Sequence, residues 1–113
     1  PAPVMVQLCM GIPWGAPDDL NTFMAMVNNV PSDWIHSAFS IGRHQMAYVA
    51  AAVLSGGNVR VGLEDNLWLE KGHLATNADL VARAVTIVEA MGVQVMTPDE
   101  VRAELQLTKR ALP

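Results

Sequence analysis

Blocks of apolar residues separated by polar loops predict that the chain opens with a strand and a helix. Residues 4–10 are apolar except for Gln7, which is typical of a strand buried in a parallel sheet. A loop rich in Gly and Pro covers residues 11–17, and Asp18 is positioned to cap a helix that runs to about Asn28. This first strand–helix unit sets the pattern for the rest of the chain.

The same order is repeated twice more. Residues 34–41 predict a second strand, followed by a turn and a helix from about residue 43 to residue 54. Residues 59–64 predict a third strand, residues 66–76 a loop, and Asn77 the cap of a long helix that ends at Gly92. A capping box at residues 97–100 starts a short last helix, and a frayed tail is expected from Thr108 onward.

Three strand–helix units and a terminal helix define an α/β fold class. Each unit takes roughly 30 residues, as a parallel βαβ repeat does. A (β/α)8 TIM barrel needs roughly 250 residues, so this chain would supply three of its eight units. We therefore expect residues 1–113 to form a single partial domain.

The third predicted strand carries the most informative chemistry. Side chains alternate along a strand, so Arg60 and Glu64 should share the face opposite the apolar positions, with Asp65 and Asn66 directly after them. Buried charges need partners or a ligand, and sites in α/β proteins form where parallel strands end. The pattern thus predicts a site here, the alternative being an edge strand with a solvated polar face.

Composition narrows the possible functions. The net charge of −4 offers no basic patch for nucleic acid. With 51% hydrophobic and 16% charged residues, the chain has more apolar material than a small free-standing domain needs, which suggests that part of its surface is covered. No apolar stretch approaches the roughly 20 residues of a membrane span. The single Cys9 fits a reducing cytoplasm and favours buried packing over a catalytic thiol.

Two further residues are candidates by position. His44 follows the end of the second strand, where it could contact a substrate or CoA, or simply bond to the backbone of its turn. Trp14 lies in the loop after the first strand and could cover a ligand or pack against the protein.

The stretch Arg60-Val61-Gly62-Leu63-Glu64-Asp65-Asn66 resembles the signature of the beta-keto acid cleavage enzymes, whose type member is 3-keto-5-aminohexanoate cleavage enzyme. Flanking features agree with it in order and spacing, namely Gly42-Arg43-His44-Gln45, Gly56-Gly57, Gly72 with Leu74-Ala75, Asn77, and Thr97-Pro98. The resemblance covers nearly the whole chain and implies the last three-eighths of a TIM barrel.

The resemblance also implies a reaction and residue roles. Members of this family use a divalent metal, usually Zn²⁺, to cleave a beta-keto acid with acetyl-CoA, giving acetoacetate and a new CoA thioester. Glu64 matches the carboxylate metal ligand, Asp65 the catalytic base, and Arg60 the arginine that works with that base. Asn66, next in the signature, joins His44 and Trp14 as a candidate contact for substrate or CoA. The complete enzyme is expected to be a homotetramer.

One departure from the family pattern limits what the chain can do. The family's other metal ligands are a His-x-His pair, which His36, His44 and His73 do not form. A single carboxylate does not hold zinc tightly. We therefore expect a C-terminal portion that needs the N-terminal part of the barrel. The alternatives are a non-catalytic stand-alone or self-associating fragment, and one subunit of a split barrel.

Overall fold

The computed structural model describes residues 3–108, which form a parallel sheet flanked by helices and a small separate hairpin. In chain order the elements are β1 (Met5–Met10), α1 (Leu20–Asn28), β2 (Ile35–Ser40), a one-turn 3-10 helix (Gly42–His44), α2 (Gln45–Leu54), β3 (Asn58–Val59), β4 (Trp68–Glu70), β5 (His73–Leu74), α3 (Asn77–Ala90) and α4 (Pro98–Glu104). Apart from Thr108, the predicted tail lies outside the described residues.

The main sheet has the order β1-β2-β3, and both of its strand pairs are parallel. The β1–β2 register runs from Met5 opposite Ile35 to Met10 opposite Ser40. Strands that follow one another in sequence are therefore neighbours in space, joined by helical crossovers. This confirms the predicted α/β class with parallel βα units, while a barrel stays a prediction.

One face of the sheet packs against helices. Leu8, Met10 and Ala38 are buried there together with Phe23 of α1 and Tyr48 of α2. The two aromatic rings meet edge to face with centroids 5.4 Å apart, a favoured geometry for such pairs. This apolar layer fixes the positions of both helices and of the loops at the carboxyl ends of β1 and β2.

The third strand is shorter than the predicted 59–64. Only Asn58 and Val59 pair with β2, and residues 63–65 form a turn. The carbonyl of Gly62 accepts the amides of Asp65 and Asn66, and the Gln45 side chain also donates to it. That carbonyl is therefore engaged in a turn, which carries the chain away from the sheet. The predicted strand beyond Val59 is wrong for this reason.

Two helix caps also differ by one residue from their predicted positions. Asp19, not Asp18, accepts the Thr22 amide and caps α1. Thr76, not Asn77, caps α3 within a capping box that includes Asp79. The predicted capping box at the start of α4 is confirmed.

The predicted loop 66–76 contains the antiparallel hairpin of β4 and β5. Lys71 and Gly72 form its tip, and Gly72 has φ +82°, a conformation that glycine tolerates best. Within residues 3–108, no helix is both long and apolar enough to cross a membrane.

Gly57 precedes β3 at a point where a side chain has no room. A Cβ added there would lie 2.5 Å from Nε2 of His36, which is hydrogen-bonded to Ser55. We expect Gly57→Ala to displace this imidazole and to lower the free energy of unfolding by about 1–3 kcal/mol, measured by urea denaturation. Gly15→Ala is the matched control, because its Cβ would meet Ile12 at an ordinary 3.5 Å. Equal stabilities for the two variants would contradict this prediction.

Candidate active site

Arg60 lies immediately after β3 and connects groups from all three strands. Its Nη1 donates to Oε1 of Gln7 on β1 at 2.7 Å, and its guanidinium carbon lies 4.2 Å from the ring centroid of Phe39 on β2. The same guanidinium group donates to Glu64 and Asp65. One planar cation is thus held by an aromatic ring and an amide of the sheet and by two carboxylates of the turn that follows β3.

Asp65 is a buried carboxylate with a charged partner. Its side chain is only 6% exposed, and Nε of Arg60 donates to Oδ2 at 3.1 Å. Its backbone carbonyl accepts the amide of Gly42 at 2.6 Å, which ties the turn to the end of β2. Backbone and side chain are both restrained, so the carboxylate is held in one place, as a general base requires.

Glu64 differs sharply from its neighbour. It forms an ion pair with Nη2 of Arg60, yet its side chain is 70% exposed. An exposed carboxylate remains accessible to a ligand or metal. The signature residues Arg60, Glu64 and Asp65 are therefore brought together, and their individual roles stay predictions.

The contributions of β1 and β2 to this cluster were not predicted from the sequence. Gln7 bridges Arg60 and Ser37, to whose hydroxyl it donates at 3.2 Å, and Phe39 lies beneath the guanidinium. Gln7 was visible as the one polar residue in an apolar run. The alternation along β1 could have placed it opposite the helix-packed face.

Cys9 lies near the cluster but is poorly suited to act as a nucleophile. Partial burial raises the pKa of its thiol, the negative charge of Asp65 raises it further, and Arg60 partly opposes this. Because the thiolate is the reactive form, this raised pKa makes Cys9 a weaker nucleophile than an ordinary cysteine.

His44 belongs to a second polar cluster at the same end of the sheet. Its Nδ1 is hydrogen-bonded to Oδ2 of Asp18, and the buried hydroxyl of Ser40 donates to the same oxygen at 3.2 Å. The bond from His44 holds the pKa of the Asp18 carboxyl below its ordinary value. Of the two readings for His44, a bond to the backbone of its turn is not the one observed.

The other two candidate contacts are placed differently. Asn66 is buried, and its amide group both donates to and accepts from the backbone of Trp68 at the start of the hairpin. Trp14 is 98% exposed, so it does not pack against the described residues.

A cleft of about 820 Å³ opens between the start of α2 and the hairpin. Its lining includes Gly42, Arg43 and Met46 on one side and the segment 63–72 on the other, with Glu64 and Asp65 among them. That volume lies in the range of small-molecule sites. Of the cluster around Arg60, the two carboxylate residues Glu64 and Asp65 therefore face a space that a ligand could enter.

A metal site is not complete within the described residues. Residues 3–108 contain no group of three or more His, Cys, Asp and Glu side chains that could hold a metal ion. Glu64 fits as one carboxylate ligand of zinc, which generally takes four ligands. The remaining ligands would have to come from other parts of a longer protein or from another chain.

The sheet consists of parallel βα units, and the restrained pair of Arg60 and Asp65 lies where its strands end. These features define a class of α/β proteins whose sites lie at the carboxyl edge of the sheet. A sequence model of the family described as "beta-keto acid cleavage enzyme" matches residues 1–107. The chain belongs to this family, which confirms the resemblance drawn from residues 60–66.

Characterised relatives give the same result. Over 108 residues the chain is 74% identical to 3-dehydrocarnitine:acetyl-CoA trimethylamine transferase of Rhizobium meliloti, covering 96% of this chain and 36% of the relative. It is 41% identical over 85 residues to 3-keto-5-aminohexanoate cleavage enzyme of Fusobacterium nucleatum, covering 74% of this chain and 31% of the relative. It is 34% identical over 110 residues to 3,5-dioxohexanoate:acetyl-CoA acetone transferase of Paraburkholderia graminis, covering 93% of this chain and 36% of the relative. The chain therefore spans about a third of the length of these relatives.

Proposed function

We propose that this chain is the C-terminal portion of an acetyl-CoA-dependent transferase that cleaves a beta-keto acid, built as the last three units of a TIM barrel. The observation that carries the proposal is the buried Asp65 carboxylate held by Arg60 beside the exposed Glu64. Acetyl-CoA appears in the names of two of the three relatives described above, one of them 74% identical to this chain. The proposed first substrate is 3-dehydrocarnitine, a beta-keto acid with a trimethylammonium group.

Asp65 is proposed to start the reaction by removing a proton from the carbon between the ketone and the carboxylate of the substrate. Its fixed orientation and low exposure suit this step, because a general base must be held within hydrogen-bond reach of its proton. Arg60 positions Asp65 through Nε and is itself fixed by Gln7 and Phe39. Both residues therefore act as one unit.

Glu64 is proposed to provide one ligand to Zn²⁺. When bound, the metal would polarise the substrate carbonyl as a Lewis acid and so acidify the neighbouring carbon. The exposure of Glu64 supports this role, since a carboxylate fully occupied by buried partners would not be available.

A chimera tests the proposal directly. The aligned 108-residue segment of the Rhizobium meliloti transferase is replaced by this chain, which is 74% identical to it. We expect the chimera to convert 3-dehydrocarnitine and acetyl-CoA to acetoacetate and a new thioester at a rate close to that of the parent. Products are measured by liquid chromatography and mass spectrometry, and the parent is the control. A folded chimera of the parent's size that binds zinc but forms no acetoacetate would overturn the proposal.

A further inference from the structure

The cluster of Asp18, His44 and Ser40 is not explained by the roles of Arg60, Glu64 and Asp65. We propose that Asp18 and His44 form an acid–base dyad that moves a proton to and from the sulfur of CoA. The inference rests on the proposed function and adds a second proton-transfer site to the same active site.

The hydrogen bonds of Asp18 orient the imidazole of His44. Asp18 Oδ2 accepts from Nδ1 of His44, and the Ser40 hydroxyl donates to the same oxygen. The ionised carboxylate is favoured, since these bonds lower the pKa of Asp18. A carboxylate can only accept, so it selects the form of His44 with a proton on Nδ1 and leaves Nε2 as the reactive nitrogen.

Nε2 of His44 is free to meet a ligand. Among residues 3–108 it has no hydrogen-bond partner, and the side chain is 42% exposed. Ser40, by contrast, is completely buried, so the dyad rests on a fixed support. Nδ1 of His44 is thus fixed by Asp18, while Nε2 remains available for proton transfer.

The dyad also lies at the same edge of the sheet as Asp65. Asp18 follows β1 and His44 follows β2, in a turn whose Gly42 amide donates to the backbone carbonyl of Asp65. Gly42 and Asp65 both line the 820 Å³ cleft. Asp18, Ser40 and His44 lie outside the lining of this cleft, so the thioester sulfur would meet Nε2 of His44 beyond Gly42, while the beta-keto acid meets Asp65 within the cleft.

The proposed reaction needs two separate proton exchanges. Asp65 takes the carbon-bound proton, and the resulting enolate attacks the acetyl carbonyl. The C–S bond of acetyl-CoA then breaks with its electron pair on sulfur, and protonated His44 donates from Nε2 to give the thiol. When this sulfur attacks the ketone carbonyl of the condensed intermediate, neutral His44 takes the proton back. The C–C bond breaks to release the acetoacetate enolate, which Asp65 reprotonates, and the new thioester remains.

The two exchanges can be measured separately in the chimera. Catalysed exchange of the substrate's carbon-bound hydrogen with D₂O, followed by proton NMR, reports the step of Asp65. Formation of acetoacetate reports the transfer that also needs His44. We expect His44→Gln to lower transfer by about 10²–10⁴-fold while leaving the deuterium exchange close to that of the unsubstituted chimera.

Asp18→Asn tests the positioning role of the carboxylate. It should lower transfer by at least about tenfold, because an amide no longer selects the productive form of the imidazole, and exchange should again be retained. His73→Gln is the matched control, as His73 lies exposed on the hairpin, and it should leave both rates unchanged. Melting temperatures close to that of the unsubstituted chimera would confirm that the variants are folded.

Two results would overturn the dyad. Transfer by His44→Gln at the rate of the unsubstituted chimera would remove His44 from the reaction. Loss of deuterium exchange together with transfer would assign His44 to substrate binding or to structure rather than to the sulfur. Failure of the proposed function gives a different pattern, in which the unsubstituted chimera shows neither exchange nor transfer.

Discussion

Asp65→Asn in the chimera is expected to lower turnover by about 10²–10⁴-fold. Asparagine has nearly the same shape as aspartate, and its side-chain oxygen can still accept from Nε of Arg60. The variant should therefore fold while lacking a base. Steady-state rates and catalysed deuterium exchange should both fall, whereas bound zinc, measured by elemental analysis, should be unchanged. Retained exchange would rule out Asp65 as the base.

Glu64→Gln is the matched comparison for this variant. The two carboxylates are adjacent in sequence, but Glu64 is exposed and Asp65 is buried. We expect Glu64→Gln to lose zinc, because a neutral amide is a much poorer ligand than a carboxylate. Comparing the two variants thus distinguishes the role of a catalytic base, proposed for Asp65, from the role of a metal ligand, proposed for Glu64. Unchanged zinc affinity in Glu64→Gln would refute the ligand role.

The sequence predicted which residues form this site more accurately than it predicted the backbone conformation that brings them together. Arg60, Glu64 and Asp65 were expected together on the basis of strand alternation, and they are together. They meet, however, because residues 63–65 turn back, not because they share one face of a strand. Alternation alone cannot reveal where pairing ends, since β2 and β3 share only two paired positions and that register is set by the whole sheet.

The adjacent aspartates illustrate a second limit. Either Asp18 or Asp19 can cap a helix, and the pattern favoured Asp18. In the structure Asp19 caps α1, which leaves Asp18 free to bond with His44. An error of one residue therefore concealed a functional candidate. Contacts such as Asp18–His44 and Gln7–Arg60 join residues far apart in sequence, and no local pattern encodes them.

Arg60→Ala is expected to have a large effect on stability as well as on activity. It would leave the buried Asp65 carboxylate without its charged partner and remove the stacking on Phe39. Because Arg60 is itself partly exposed, we expect a loss of about 2–3 kcal/mol in the free energy of unfolding, measured by urea denaturation of the chimera. Arg102→Ala is the control. Its ion pair with Asp99 is exposed, so the loss should stay below about 1 kcal/mol.

A double-mutant cycle identifies the source of this loss. If most of it comes from the unpaired charge of Asp65, then Arg60→Ala should cost much less in the Asp65→Asn background, where no charge remains. If it comes from packing on Phe39 and the bond to Gln7, the cost should be the same in both backgrounds. The first result would mean that Arg60 stabilises the fold mainly by pairing with the buried carboxylate of Asp65. The second would make Arg60 a structural bridge between strands, and the positioning role proposed for it would be wrong.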